Sequence, residues 1–205
     1  MKPLTELVLS LALAAQAPLP SPMDPAQYAA RDSHEGVTLA ARPYREPAEL
    51  EARFGRHPLA QAGTVAVEVL VVNEREEAIR VAWERVVLLS GTESFEQVEP
   101  EQIAWRVYPP PKTKSKQPWP GPPTKLPADK KRLPREALEA ALASQGMRVE
   151  VIAAGGRARG FLYFHLGDQP LDLARARLYV PEVVRLPEEE PLLFFELDLK
   201  VYAKP

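Results

Sequence analysis

The chain has 205 residues, of which 45% are apolar and 26% are charged, and it contains no cysteine. This length and apolar content are typical of one globular domain with appendages. The lack of cysteine excludes disulfides, thiolate metal sites and cysteine nucleophiles. A formal net charge of −2 argues against a dedicated nucleic-acid-binding domain, which is usually strongly basic.

The first residues have the pattern of an export signal. An apolar run over 7–15 is followed by the small-x-small triplet that ends at Ala17. We therefore predict a signal peptide over 1–17, cleaved after Ala14 or Ala17, and a periplasmic or secreted protein. The run is shorter than the ~20 residues needed to cross a bilayer, so no transmembrane anchor is predicted. The alternative is a cytoplasmic protein that starts at Met23.

Beyond a flexible leader assigned to 18–36, short segments of alternating polarity are separated by turn residues, which is typical of β-strands. Strands are predicted over 37–44, 64–73, 78–89, 147–152, 159–166, 171–180 and 192–202. Helices are predicted over 46–54 and 134–146, because each segment has an early proline and is followed or closed by glycine. Two hairpins are expected, one joining 64–73 to 78–89 and one turning at Gly155-Gly156.

In two of these segments the alternation predicts on which face of the strand each side chain lies. In 64–73, four valines at odd positions share one face and Glu68 lies on the other. In 192–202, the expected core face consists of Leu193, Phe195, Leu197, Leu199 and Val201, and the expected solvent face of Glu196, Asp198 and Lys200.

The segment 65–89, with the sequence VAVEVLVVNEREEAIRVAWERVVLL, contains an apolar strand ending in Asn73, a charged turn and a strand carrying Trp83. It resembles exported bacterial immunoglobulin-like β-sandwich domains of unassigned function, and the resemblance extends over about 37–202. It implies a scaffold and assigns no functional residue. The predicted fold is mainly β: one antiparallel immunoglobulin-like sandwich of about seven strands over 37–205, with two short connecting helices.

The stretch 109–135 departs furthest from this pattern. It holds nine of the 23 prolines, six of the nine lysines, two arginines and one acid, a charge of +7 that leaves −9 on the rest of the chain. We assign 109–133 to a long Pro/Lys-rich insertion between two strands. Its prolines favour extended polyproline II structure, which binds partners at low entropic cost.

Partner binding is therefore predicted in this insertion, through an aromatic anchor and its basic flank. The residues are Trp119 and the lysines Lys112, Lys114, Lys116, Lys125, Lys130 and Lys131. An acidic protein or an anionic envelope polymer would suit such a surface. The alternatives are a passive connection that crosses the end of the sandwich and a linker between two domains.

No catalytic residue, cofactor or metal ligand is predicted. His34, His57 and His165 are far apart in the sequence and are not spaced as metal ligands. The glycines of 153–160 precede a strand and no helix, which favours a turn over a phosphate loop. Neither Ser90 nor Ser94 lies in a nucleophile elbow.

The predicted function is a non-catalytic exported binding or assembly module of the bacterial cell envelope, without specific nucleic-acid binding. The alternative is a hydrolase or carbohydrate-active domain whose site is assembled from distant residues. A binding module should present a flat aromatic and basic surface, whereas an enzyme needs a concave pocket with converging polar groups.

Overall fold

The computed structural model describes residues 23–110 and 132–203. These residues form twelve strands and three α-helices. The strands are β1 (Ala30–His34), β2 (Val37–Tyr44), β3 (Thr64–Asn73), β4 (Ile79–Val81), β5 (Val87–Ser90), β6 (Glu93–Glu96), β7 (Val151–Ile152), β8 (Arg157–His165), β9 (Ala176–Val180), β10 (Val183–Arg185), β11 (Glu190–Pro191) and β12 (Phe195–Asp198). The helices are α1 (Pro47–Phe54), α2 (Pro100–Val107) and α3 (Arg132–Gln145).

The strands form three antiparallel sheets of four strands each, so the prediction of a mainly β antiparallel fold is confirmed and the count of seven strands is wrong. The front sheet has the order β1-β2-β3-β8 and the back sheet the order β12-β9-β5-β6. A smaller end sheet has the order β11-β10-β4-β7. The strands that were not predicted, β1, β6, β10 and β11, have only two to five residues, which is too few for a clear period-two pattern.

The main core lies between the front and back sheets and is closed at one end by the end sheet. Val65, Val67, Val69 and Val71 enter this core from β3, as the alternation predicted. They meet Leu88, Leu178, Phe195 and Leu197 of the back sheet.

All ten residues of β3 are buried, because the outer face of the front sheet is covered as well. A second apolar cluster packs the three helices on that face, and it contains Leu50, Phe54, Ile103, Ala104, Leu138, Leu142, Phe161 and Tyr163. A third, smaller cluster places Tyr28 over Leu70 and Val72 of β3. In the described part of the chain, no helix combines the length and apolar character that crossing a bilayer requires.

Glu68 is the one charged residue of β3 and is 2% exposed. The Tyr44 hydroxyl donates to Glu68 Oε2 at 3.0 Å, and Arg159 Nε lies 3.8 Å from Glu68 Oε1. Burial, and after it the Glu68 carboxylate, raises the pKa of both Tyr28 and Tyr44. The phenols therefore stay protonated and can serve as donors beside the buried carboxylate.

The two large sheets approach each other along both sides. On one side the chain after β6 joins β8, where Val98 N donates to Tyr163 O at 2.8 Å. On the other side acidic side chains around β1 cap backbone donors in and before β12: Glu196 N donates to Asp32 at 3.2 Å and Leu193 N to Glu35 at 2.8 Å. These carboxylates thus accept hydrogen bonds from backbone N–H groups at the edge of β12, with which a further strand would otherwise pair.

The prediction of one continuous strand over 78–89 is wrong. A 3-10 turn at Trp83–Arg85 divides it, so that β4 belongs to the end sheet and β5 to the back sheet. The hairpin predicted between 64–73 and 78–89 does not form. The reason lies at Asn73, whose amide donates to Glu77 O at 2.8 Å and to Ala153 O at 3.0 Å and so directs the chain into the end sheet.

The hairpin predicted at Gly155-Gly156 does not form either. The turn there joins strands of two different sheets, because β7 pairs with β4 and β8 pairs with β3. Strand β1 lies within 18–36, the segment assigned to a flexible leader. Only the first residue of β1 is buried, and because its sequence is polar it has no pattern that predicts a strand. In 192–202 Phe195, Leu197 and Leu199 are buried as predicted. Leu193 and Val201 are instead 61% and 49% exposed, because the strand spans only Phe195–Asp198.

Gly63 marks a close crossing between the loop before β3 and the loop after β8. Leu166 N donates to Gly63 O at 2.8 Å. A Cβ on Gly63 would lie 2.0 Å from the Gly167 carbonyl oxygen, and its φ is +65°. Gly155 has the same φ of +65°, but a Cβ there would meet nothing within 4 Å.

We therefore expect Gly63→Ala to lower the free energy of unfolding more than Gly155→Ala does. Both substitutions carry the left-handed backbone strain of roughly 1–2 kcal/mol. Gly63→Ala adds the steric clash, which costs about 1–3 kcal/mol more. Urea unfolding followed by circular dichroism measures both values, and equal losses would contradict the close crossing.

Substitution of Glu68 by glutamine is expected to lower the free energy of unfolding by about 1–3 kcal/mol, because Arg159 loses a buried anionic neighbour. Glu196→Gln is the matched control, because it removes an exposed pair with Arg177 and should cost less than about 1 kcal/mol. The same unfolding measurement applies, and a Glu68→Gln loss no larger than that of the control would refute a stabilising role for the buried carboxylate.

Candidate functional site

The basic insertion connects two helices, α2 and α3, so the prediction of an inter-strand insertion is wrong. Helix α2 carries Pro100 in its first turn and buries Ile103 and Ala104 on one side. It was not predicted from the sequence, although its opening proline and early acid are helix signals. We call the packed pair of helices α2 and α3 the helical hairpin.

The predicted partner-binding residues Lys112, Lys114, Lys116, Trp119, Lys125, Lys130 and Lys131 lie outside the described residues, as does the predicted signal peptide over 1–17. What the structure describes is the base from which the insertion departs and to which it returns. This base is built from the C-terminal half of α2 and the first turns of α3.

The helical hairpin is fixed to the front sheet by buried side chains and by polar contacts. The Tyr163 hydroxyl donates to Leu142 O at 2.8 Å. Gln145 Nε2 donates to Arg53 O at 2.8 Å and so joins α3 to α1. Leu138 and Leu142 are fully buried against the sheet. The base is therefore part of the folded domain.

Trp105 lies on the surface of the helical hairpin and is 40% exposed. The guanidinium carbon of Arg135 in α3 lies 3.7 Å from the centre of its ring, which is a cation–π contact between the two helices. The Trp105 indole N–H also points to Glu101 Oε1 at 3.4 Å. A second tryptophan, not singled out from the sequence, thus stands at the base of the segment that carries Trp119.

One histidine contacts the end of α2, and a second lies within electrostatic reach of Arg106 on that helix. His57 Nδ1 is 2.9 Å from the Tyr108 hydroxyl, and burial lowers the pKa of His57. Burial, followed by the nearby Arg106 guanidinium, lowers the pKa of His165. Sequence separation hid this arrangement, since the histidines come from the loop after α1 and from the end of β8.

Two surface cavities lie beside elements described above, and a third, of about 520 Å³, lies among Arg175, Arg177, Glu196 and Lys200. The first, about 450 Å³, lies beside the Gly63–Gly167 crossing, and its polar rim includes Arg45, Glu46, Gln61, Asp168 and Gln169. The second, about 350 Å³, lies between the helical hairpin and β8, over Phe161 and Tyr163. Within the same described residues, no group of three metal-binding side chains comes together.

No protein-family model matches the chain, and no curated protein matches it. Among solved structures, a "putative lipoprotein (ycdA)" from Bacillus subtilis has 10% identity and a TM-score of 0.37, with 83% of this chain and 38% of that protein covered. A functionally unknown protein from Listeria monocytogenes has 11% identity and a TM-score of 0.34, with 73% and 68% covered. The chain thus spans well under half of the Bacillus protein, and at these TM-scores neither likeness assigns a fold or a function.

The contact between Trp105 and Arg135 should be measurable as a coupling energy of about 0.5–1 kcal/mol, which is the usual strength of an exposed cation–π pair. A double-mutant cycle with Trp105→Leu and Arg135→Gln isolates this term from unfolding data. The control cycle pairs Trp105→Leu with Arg106→Gln, because the cation over the Trp105 ring is Arg135, whereas the Arg106 guanidinium acts electrostatically on His165. Coupling in the control cycle as large as in the first would show that the ring contact does not join the helices.

Proposed function

We propose that the chain is a non-catalytic binding or assembly module of the bacterial cell envelope, exported by its amino-terminal segment. Its partner is bound by the insertion between the two helices. Trp119 supplies an aromatic anchor there, and Lys112, Lys114, Lys116, Lys125, Lys130 and Lys131 supply charge. The scaffold behind it is an immunoglobulin-like sandwich, a proposal supported by two antiparallel four-stranded sheets facing each other across one core.

The observation that carries this proposal is the base of the insertion. Both ends of a 21-residue span (111–131) meet packed helices. The helices are buried against the front sheet and joined by the Trp105–Arg135 contact. A loop with a fixed base needs less ordering when it binds, because both of its ends already have defined positions.

The chemistry of the insertion favours a partner of negative charge. The stretch 109–135 carries +7 in a chain of net charge −2. Long-range attraction would orient an acidic protein or an anionic envelope polymer toward this side of the domain. A tryptophan inside such a basic surface supplies contact area and is a residue type over-represented among binding hot spots.

The alternative, a hydrolase or carbohydrate-active domain, is favoured by one observation, the 450 Å³ cavity beside the Gly63–Gly167 crossing. This volume lies within the ~300–1,000 Å³ of small-molecule sites. Asp168→Asn combined with Gln169→Ala would impair an activity located in this cavity and leave binding by the proposed module intact.

If the mature protein begins at an intact Met1 or Met23, the proposal of export is wrong.

The proposed function is tested by pull-down from the native envelope with two forms of the protein. In one form a short glycine-serine linker replaces 112–131, and in the other only Trp119→Ala is introduced. We expect the deletion to abolish recovery of the specific partner and Trp119→Ala to reduce it at least tenfold, as for a hot spot worth about 1.4 kcal/mol or more. Recovery should also fall as salt rises.

The matched control removes positive charge elsewhere. Arg85, Arg175 and Arg177 have exposed side chains on other parts of the domain, so the triple Arg→Gln variant should recover the partner as the wild type does. Equal recovery by the deletion form and the wild type would mean that the insertion is a passive loop. Equal losses in the control and in Lys112→Gln/Lys114→Gln/Lys116→Gln would mean that only net charge matters.

A further inference from the structure

The outer face of the back sheet carries side chains that take no part in the main core. In β9 and β12, core residues alternate with residues that lie on this outer face. From β9 these are Arg177 and Tyr179, and from β12 they are Glu196 and Asp198. The strand register places Glu196 opposite Tyr179 and Asp198 opposite Arg177, so the four side chains form two adjacent rows on one surface.

One end of this surface is aromatic. The ring of Phe194, directly before β12, lies 5.5 Å from that of Tyr179 between centres, with the two planes at 51°. Phe194 is 51% exposed, and Tyr179 is half-buried. Val87 of β5 is opposite Tyr179 on its other side and is half-buried as well. Aromatic rings in this position offer a ligand a large contact area with C–H groups.

The other end of the surface is polar and concave. The cavity of about 520 Å³ continues from Arg177 and Glu196 toward Lys200. Arg177 Nη1 donates to Glu196 Oε1 at 2.6 Å, and Lys200 Nζ lies 2.5 Å from Asp198 Oδ2. The side chains of both pairs are more than a third exposed, so their remaining donor and acceptor sites face water.

The charges around the cavity offset each other. Its third cation, Arg175, donates from Nε to Asp172 Oδ2 at 2.7 Å. Each of the three cations is thus paired with a carboxylate. An anionic ligand would gain no net attraction here, and a purely apolar partner would take these charges out of water at a cost. The surface is therefore suited to a polar ligand without net charge.

Hydroxyl groups fit such ion pairs, because each hydroxyl can donate to a carboxylate and accept from a neighbouring cation. Sugar rings combine hydroxyl edges with C–H faces that can pack on aromatic rings. The chain rises about 13 Å from Phe194 to Asp198 at the usual strand spacing. This distance exceeds the width of one sugar ring, so the aromatic and polar ends would contact different units of a chain.

We propose that the outer face of the back sheet binds a neutral polysaccharide. Phe194 and Tyr179 stack on its sugar rings, and Arg177 and Glu196 bond to its hydroxyl groups. We call these four residues, together with the cavity beside them, the glycan face. The helical hairpin packs on the opposite side of the sandwich, over the front sheet. The glycan face is therefore a second site, and it does not depend on the proposed function of the insertion.

The test applies the full-length protein to a glycan array that holds neutral and acidic oligosaccharides. Isothermal titration calorimetry then measures the affinity for the neutral oligosaccharide that gives the strongest signal. We expect neutral oligosaccharides of two or more units to bind. Their affinity should stay constant as the salt concentration rises, because no net charge is neutralised.

Two substitutions separate the aromatic and polar parts of the glycan face. Phe194→Ala removes a stacked ring and Glu196→Gln removes a charged acceptor, and each should weaken binding about tenfold or more. Glu196→Gln changes an exposed pair and should leave the fold intact, so its effect stays interpretable if Phe194→Ala fails to fold. Glu182→Gln is the matched control, because Glu182 pairs with exposed Arg85 away from this face, and it should bind as the wild type does.

The proposal is wrong if the array shows no binding of a neutral oligosaccharide, if acidic oligosaccharides bind more tightly, or if both substitutions leave the affinity unchanged. The form in which a linker replaces 112–131 should bind the neutral oligosaccharide as the wild type does. Loss of binding in that form would place the sugar on the insertion and overturn the proposal. Recovery of the envelope partner through the insertion is a separate readout, so either proposal can fail without the other.

Discussion

The structure depends on the burial of β3 on both of its faces. One face of the strand supplies the valines of the sandwich core, and the other lies beneath the helices and Tyr28. A strand in this position needs cover on its second face, and the helical hairpin is part of that cover. The place from which the insertion departs is thus fixed by the same apolar packing that forms the core, with Glu68 held among tyrosine and arginine side chains inside it.

The sequence predicted the parts of this arrangement that are recorded in local patterns. The bounds of β2 and β3 and the valine face of β3 are as expected, because a long period-two alternation admits one interpretation. Helices α1 and α3 follow from their prolines and apolar faces. Sheet membership could not be predicted: Asn73 directs the chain by bonds to Glu77 and Ala153, and the latter is 80 residues away. The histidines beside α2 are hidden for the same reason.

The candidate site, like the fold, could be predicted from the sequence only in part. Composition alone identified 109–133 as the unusual segment, since charge and proline content are properties of the sequence itself. The attachment of the segment to two helices could not be predicted from composition. Helix α2 packs firmly in the structure, but its eight residues leave only a short pattern in the sequence. Both described ends of the segment lie on the helical hairpin, which belongs to the outer, helical layer of the domain. The partner-binding segment we propose departs from that layer.

The central claim is that the domain binds its partner through the insertion above the helical hairpin. The most direct measurement is photo-crosslinking in the native envelope, with benzoylphenylalanine placed at Gln117, next to the Trp119 region, or at Leu193, which is 61% exposed before β12. The account predicts a discrete adduct of one partner from position 117 and no adduct of that partner from position 193. Adducts of the same partner from both positions, or from 193 alone, would contradict it.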